Sequence, residues 1–385
     1  GTSKTLANIK GSPTIGTALE FDYDNYLSKT GDEAPKYTEF DTIKGMKMVA
    51  HTRTGNVYGG GQGDVRLKTE GTWRGHPEGF EQGHCGSAEV NIQGTPTIMS
   101  SVFGGSDQGV VWGDTKVTIA GGTIGKTKIP YDSLTIVNGE VTASHHTKTY
   151  SLGSVYGGSY GMDAYKHVDT TAIPDEFFGR VVDSINRLTG CVYGNTEVNI
   201  TGGNIRGNVF GGGDMANVGT KMGESNLHAS NGICTVKISA TANDTIGPLD
   251  GTGLNAYVFG GGKGFYSDPD ELRKKFANVD STFVIVSSGK ICGSIFGGGN
   301  DSHTLGSTSV IVKENANIGI DGLTTWDGNI FGGGRNFVNS NHTNGRVEGN
   351  ISITMTGGTM KGTIFGGGRL ALSGVNENGE FPTTG

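Results

Sequence analysis

Asp214 and Lys263 each follow a Val-Phe-Gly-Gly-Gly run, at equivalent points of two similar segments. A carboxylate and an amine placed in this way could do acid–base chemistry on a polysaccharide. Glycoside hydrolysis needs two carboxyl groups about 5–10 Å apart on one face. Eliminative cleavage of an acidic polysaccharide needs a basic side chain, lysine or arginine, beside acidic groups. If the chain is an enzyme, Asp214 and Lys263 are its candidate catalytic pair. The same positions also fit a solvated polar column beside a glycine bend, where mixed charge keeps the surface soluble.

Trp73, Trp112 and Trp326 are candidates of a second kind. Exposed aromatic faces stack on sugar rings, though loop aromatics also simply hold loops in place. His76-Pro-Glu-Gly-Phe-Glu-Gln-Gly-His-Cys85 gathers potential metal ligands, but the spacing matches no tight ligand pattern and no metal is expected. Ala120-Gly-Gly-Thr-Ile-Gly-Lys-Thr127 resembles a phosphate-binding loop. The chain continues into Lys128-Ile-Pro130 rather than a helix whose N-terminus could hold phosphate, so no nucleotide and no other cofactor is expected. Gly59-Gly-Gly-Gln-Gly-Asp64 is a single, out-of-register version of a calcium-binding turn that works only in tandem. Cys85, Cys191, Cys234 and Cys292 form no C-x-x-C pair and read as small buried strand residues, with a disulfide between neighbouring coils left open.

All these residues are punctuated by glycine, which makes up 70 of 385 positions against nine prolines. A formal charge of −7 argues against a nucleic-acid partner, and no run of residues is apolar enough to span a membrane as a helix. The glycines recur in order. An aliphatic-aromatic-Gly-Gly-(Gly/Ser) pentad starts at Val57, Val102, Val155, Val209, Val258, Ile295, Ile330 and Ile364. Short alternating segments precede most pentads, including Val90/Ile92, Val117/Ile119, Leu134/Ile136, Val198/Ile200, Val236/Ile238, Val284/Ile286, Val310/Ile312 and Ile353/Met355. The stretch from Val198 to Gly213 aligns without a gap to that from Ile353 to Gly368.

Strands this short, with glycine supplying positive φ at sharp bends and loops inserted at one point, predict an all-β parallel β-solenoid, a right-handed β-helix of about eight coils. Stacking then turns Tyr58, Phe103, Tyr156, Phe210, Phe259, Phe296, Phe331 and Phe365 into an aromatic ladder, and aligns the residues after the pentads: Gln62, Asp107, Tyr160, Asp214, Lys263, Asn300, Arg335 and Arg369. A kelch-like β-propeller is the alternative. Helical spacing after prolines predicts short helical insertions at 175–188 and 268–276. The expected divisions are an N-terminal cap or degenerate coil at 1–50, repeats at 51–370, and a further coil or linker at 371–385.

The Val-Asn-Ile-Thr-Gly-Gly-x-Ile-x-Gly-x-Val-Phe-Gly-Gly-Gly units resemble the Gly-rich repeats of large bacterial cell-surface and secreted β-helix proteins, adhesin-like proteins among them, across about residues 55–370. The resemblance implies a non-enzymatic segment of a longer secreted or surface-anchored protein (outer membrane-attached or extracellular). Such a segment is a rigid stalk that presents loops to a glycan, host or neighbour-cell surface protein. The sequence lacks the catalytic signature of the pectin-lyase group. Asp-(Ser/Thr) tripeptides at Asp41, Asp132, Asp169, Asp183, Asp244 and Asp280 resemble a bacterial O-glycosylation motif and agree with export. A polysaccharide lyase or glycoside hydrolase on a β-helix, and a structural filament or surface-layer element, are the alternatives.

Overall fold

The computed structural model describes residues 3–16, 40–43, 46–49, 55–63, 83–137, 140–161, 188–219, 232–247, 256–264, 277–321, 327–336 and 345–375; at 40–43, 46–49, 126–137 and 140–152 only the backbone is described. The architecture is all-β, with stacked parallel strands consistent with a β-solenoid. The two expected helices lie outside the described residues, apart from Leu188, which is buried.

Two parallel sheets face each other. One holds the pentads: its eight two-residue strands, from Val57–Tyr58 to Ile364–Phe365, pair in chain order. These strands are called rungs one to eight here. The other sheet is built on longer strands, which stack in the order Lys4–Ile9, Ser87–Ile92, Thr115–Ile124, Thr196–Ile205, Cys234–Ser239, Thr282–Ile291, Thr308–Ile318 and Ile351–Met355. Period-two alternation sends every second residue inward. Val198 and Ile200 are 0% and 1% exposed, and with Val209 and their counterparts on other rungs they form one continuous aliphatic core. Each such side chain contributes roughly 1.5–3 kcal/mol by leaving water.

The alternating segment Leu134/Ile136 does not join this stack. It lies in Lys126–Val137, which pairs antiparallel with Glu140–Leu152 in a separate four-stranded sheet completed by Met46–Val49 and Phe40–Ile43. Alternation reports a strand but not its partner. Within the first 50 residues, Lys4–Ile9 pairs in full register with Ser87–Ile92, and Thr14–Ile15 with Thr97–Ile98, so the stack starts before residue 51.

The pentad glycines do a different job from the one expected. They do not lie among the positive-φ residues. A Cβ on Gly157, Gly211, Gly260 or Gly297 would sit 2.1 Å from the carbonyl oxygen of the matching glycine on the next rung. Close stacking of backbone on backbone is what requires glycine here. Positive φ belongs instead to the second glycine of the doublets that bend the long strands: Gly122 at +83°, Gly203 at +91° and Gly358 at +86°.

Loops leave the stack at more than the single point expected, and they do so on alternate rungs. On even rungs, three residues join the end of the long-strand ladder to the pentad: Met99-Ser-Ser101, Arg206-Gly-Asn208, Cys292-Gly-Ser294 and Lys361-Gly-Thr363. On odd rungs the same link is opened after its first residue. Gly16 leads to Gly55, Gly125 to Gly153, Gly247 to Ala256 and Gly319 to Gly328. The ends of each opened link touch: a Cβ on Gly16 would lie 2.4 Å from the Cα of Gly55, and one on Gly153 2.1 Å from that of Gly125. A second corner follows the pentads. Asp107, Asp214, Asn300 and Arg369 connect directly to Val111, Val218, Thr304 and Ser373, whereas segments 64–82, 162–189, 265–276 and 337–344 are inserted on odd rungs. One further insertion, 220–231, follows Gly219.

Candidate functional site

The residues after the pentads form a column. Parallel bridges link Gln62 to Asp107, Tyr160, Asp214, Lys263, Asn300, Arg335 and Arg369 in rung order. Asp214 and Lys263 therefore meet, with Lys263 Nζ donating to both carboxylate oxygens at 2.9 and 3.1 Å. Asp214 is 6% exposed. Partial desolvation by itself lowers the pKa of Lys263, whose side chain is 41% exposed, but the adjacent Asp214 carboxylate outweighs it and raises the value well above the ordinary lysine range. Burial, reinforced by Asp214, pushes the Tyr156 phenol up as well. The lysine is held as an ammonium and has no tendency to take a proton.

Further along the column, Tyr257 Oη donates to Asp327 Oδ1 at 2.7 Å and the Arg335 guanidinium lies 4.9 Å from the Tyr257 ring centre. Burial, then the Asp327 hydrogen bond, pushes the Tyr257 hydroxyl up to about 12.

The aromatic residues of the pentads stack face to face. Centroid separations run from 4.7 to 4.9 Å from Tyr58 to Phe365, with interplanar angles of 14° or less. They are interior except at the two ends of the ladder, where Tyr58 is half-buried and Phe365 is 44% exposed.

Trp112 sits elsewhere, beside the column that runs Cys85, Val111, Val192 and Val218. Its indole is 46% exposed and stacks on Tyr193 of the next rung at 5.1 Å and 30°, while His84 approaches its edge at 6.2 Å. Tyr193 is anchored from below by buried Val110 and Leu188. Two residues beyond the aromatic pair, Asp114 Oδ1 accepts the Asn195 N–H and Asn195 Oδ1 accepts the Ile233 N–H. This places a polar strip alongside an open aromatic face. Trp73 and Trp326 lie outside the described residues.

Sequence reasoning missed Tyr193 and His84 as partners of Trp112, because they converge only when rungs stack. It also missed two polar ladders. Thr115, Thr196, Thr282 and Thr308 point inward and donate to the carbonyls of Gly157, Gly211, Gly297 and Gly332 at 2.6–2.7 Å. Ahead of the pentads, Asn56, Ser101, Ser154 and Asn208 each accept, through the side-chain oxygen, the N–H of the following rung. The Asn or Ser immediately before six of the eight pentads was the available signal.

The four cysteines are free and buried, and burial pushes Cys234 up to about 12. Among the described residues no cluster of three His, Cys, Asp or Glu side chains is set to hold a metal, and no helix is long and apolar enough to cross a membrane. Thr245, the hydroxyl residue of the Asp244 tripeptide, is 4% exposed and bonds Asn204, so this tripeptide is strand rather than exposed acceptor. Comparison with protein-family models, with curated proteins and with solved structures finds no match to this chain.

Proposed function

We propose that this chain is a non-enzymatic segment of a secreted or surface-anchored bacterial protein, a right-handed β-solenoid stalk of eight coils that binds a glycan on a rigid aromatic platform. The observation that carries the reading is the exposed Trp112 ring stacked on Tyr193, with Asp114 and Asn195 alongside. A sugar ring presents an apolar C–H face and a polar rim of hydroxyls. A flat aromatic with carboxylate and amide groups beside it matches both. The parallel pairing of the rungs supports a solenoid over a kelch-like propeller, whose blades are antiparallel.

A catalytic reading of Asp214 and Lys263 is disfavoured by their pairing, because the ammonium is already protonated and both carboxylate oxygens are engaged. On a glycan array the intact chain is expected to retain at least one oligosaccharide class. Trp112→Ala should weaken that binding by about tenfold or more, a loss of roughly 1.4 kcal/mol. Incubation with acidic and neutral polysaccharides should release neither unsaturated nor reducing sugars. Release that disappears in Asp214→Ala and Lys263→Ala would overturn the proposal.

A further inference from the structure

The outward face of the long-strand sheet changes character along the rod. On rungs two to five it carries alternating charge: Glu89, Lys116, Glu197 and Lys237, each on the strand next to its neighbour. Nearer the corner the charges then stop. The column that holds Asp114 and Asn195 continues through Ile233, Ser281 and Ser307, each accepting the N–H that follows its counterpart on the rung before. The next outward column runs from Glu197 through Thr235, Phe283 and Ser309. Neither column bears a charge from rung five to rung seven.

Apolar side chains cross this uncharged face on a diagonal. Ile233 on rung five is 37% exposed and Phe283 on rung six is 40% exposed. Half-buried Ile285 and Ile311, paired with each other on rungs six and seven, continue it. Each step from Ile233 to Phe283 to Ile311 climbs one rung and advances two residues, so neighbours stand about 8 Å apart. The diagonal begins at the aromatic corner, where Asn195, two residues after Tyr193, accepts the Ile233 N–H through its side chain. Trp112, Tyr193, Ile233 and Phe283 thus mark one apolar line, a single side chain wide, from rung three to rung six.

Hydroxyls border the line. Thr235 and Ser309 pair with Phe283 from either side, about 4.8 Å away, and Ser281 stands next to Ile233. A sugar ring laid on Phe283 finds an apolar face beneath it and a hydroxyl on each flank. A line one side chain wide suits a polymer better than a protein partner, whose footprint is roughly 800 Å² on each side. Its lack of charge suits a neutral polymer.

We infer that, granting the glycan reading of Trp112, Phe283 is a second sugar platform and the line between the two seats a neutral polysaccharide running obliquely across the long-strand face. Two platforms fixed on one rigid sheet make affinity depend on chain length. A short oligosaccharide reaches one platform, whereas a longer one reaches both at no further ordering cost to the protein.

Native gels containing galactomannan, xyloglucan or mixed-linkage β-glucan should retard the intact chain in at least one case, and gels containing polygalacturonate should not. For a polymer that retards it, calorimetry should show the hexasaccharide binding at least about tenfold more tightly than the disaccharide. Phe283→Ala should bring the hexasaccharide down to the disaccharide level, and Trp112→Ala should weaken both. Ser309→Asp, which sets a charge beside Phe283 outside the core, should weaken the hexasaccharide comparably while the denaturation midpoint holds. Hexasaccharide binding that falls in Trp112→Ala but survives Phe283→Ala would overturn the second platform and leave the glycan reading standing. Binding untouched by Trp112→Ala would overturn both. Retardation by polygalacturonate alone, or by none of the four polymers, would sink the neutral-chain proposal. So would a dimer in sedimentation that Phe283→Ala dissolves, since a second copy would then occupy the line.

Discussion

Gly260 shows what one hydrogen atom does here. An added Cβ would meet the Gly297 oxygen at 2.1 Å and Thr282 Cβ at 2.8 Å, and the first of these is backbone that cannot swing away. Two rungs would have to part, which breaks both a hydrogen-bonded level and a ring stack. Gly260→Ala is expected to destabilise the chain by about 3 kcal/mol or more in chemical denaturation, the upper range of an overpacked core. Phe259→Ala, which empties one place in the ladder, should cost a comparable 3–5 kcal/mol. The ladder was legible in sequence because aromatic residues recur beside glycine at every rung. The inward threonines were not, since a threonine in an alternating strand reads as an outward residue. Only the nearby glycine carbonyl, 2.6 Å from Thr282 Oγ1, explains a buried hydroxyl.

Charge couples neighbouring long strands. Glu197 accepts from Lys237 at 2.6 Å and from Lys116 at 2.9 Å, one strand to each side, and Lys4 pairs with Glu89 in the same manner. The Lys237 hydrogen bond, aided by Asn199 and Lys116, holds the Glu197 carboxyl at about 2 against an ordinary 4.5. A lowered folded-state pKa stabilises the fold above the unfolded value and ceases to do so as pH falls through the folded one. The pairs are partly exposed, so the contribution is about 1 kcal/mol at most. Lys237→Met should therefore lower stability at pH near neutrality by about that amount, and the gap should close between about 4.5 and 2. A gap that persists at the acid end would mean the lysine stabilises by packing its stem. Pairing partners of this sort were hidden in the sequence, because Glu197 and Lys237 become neighbours only once the register of Glu197 with Thr235 is set.

For the molecule as a whole, the loops are separable from the stack. Removing 126–152 leaves Ile124-Gly125-Gly153-Ser154-Val155, the three-residue link of an even rung, and the two glycines already touch. The shortened chain should keep its denaturation midpoint within about 1 kcal/mol, as expected when a loop with adjoining ends is excised. Retention of glycan binding at Trp112 would place specificity on the stack rather than on that loop. A collapse of the fold would instead show that the separate antiparallel sheet props up the rod. The repeat made the stack readable, but the spacing of the pentads concealed the alternation, because segments at two corners add into one irregular interval. Splitting each interval at its flanking glycines recovers the even, three-residue links.

That alternation has a metric consequence. Two rungs rise by about 9.6 Å, and a β-hairpin is two strands, or about 9.6 Å, wide. Loops issuing from every rung would be confined to a single strand's width. Loops issuing from every second rung have room for a hairpin each, laid edge to edge with neither overlap nor gap. The first- and third-rung loops, which carry Phe40–Ile43, Met46–Val49 and Lys126–Val137, meet across the intervening plain rung in one antiparallel sheet separate from the stack.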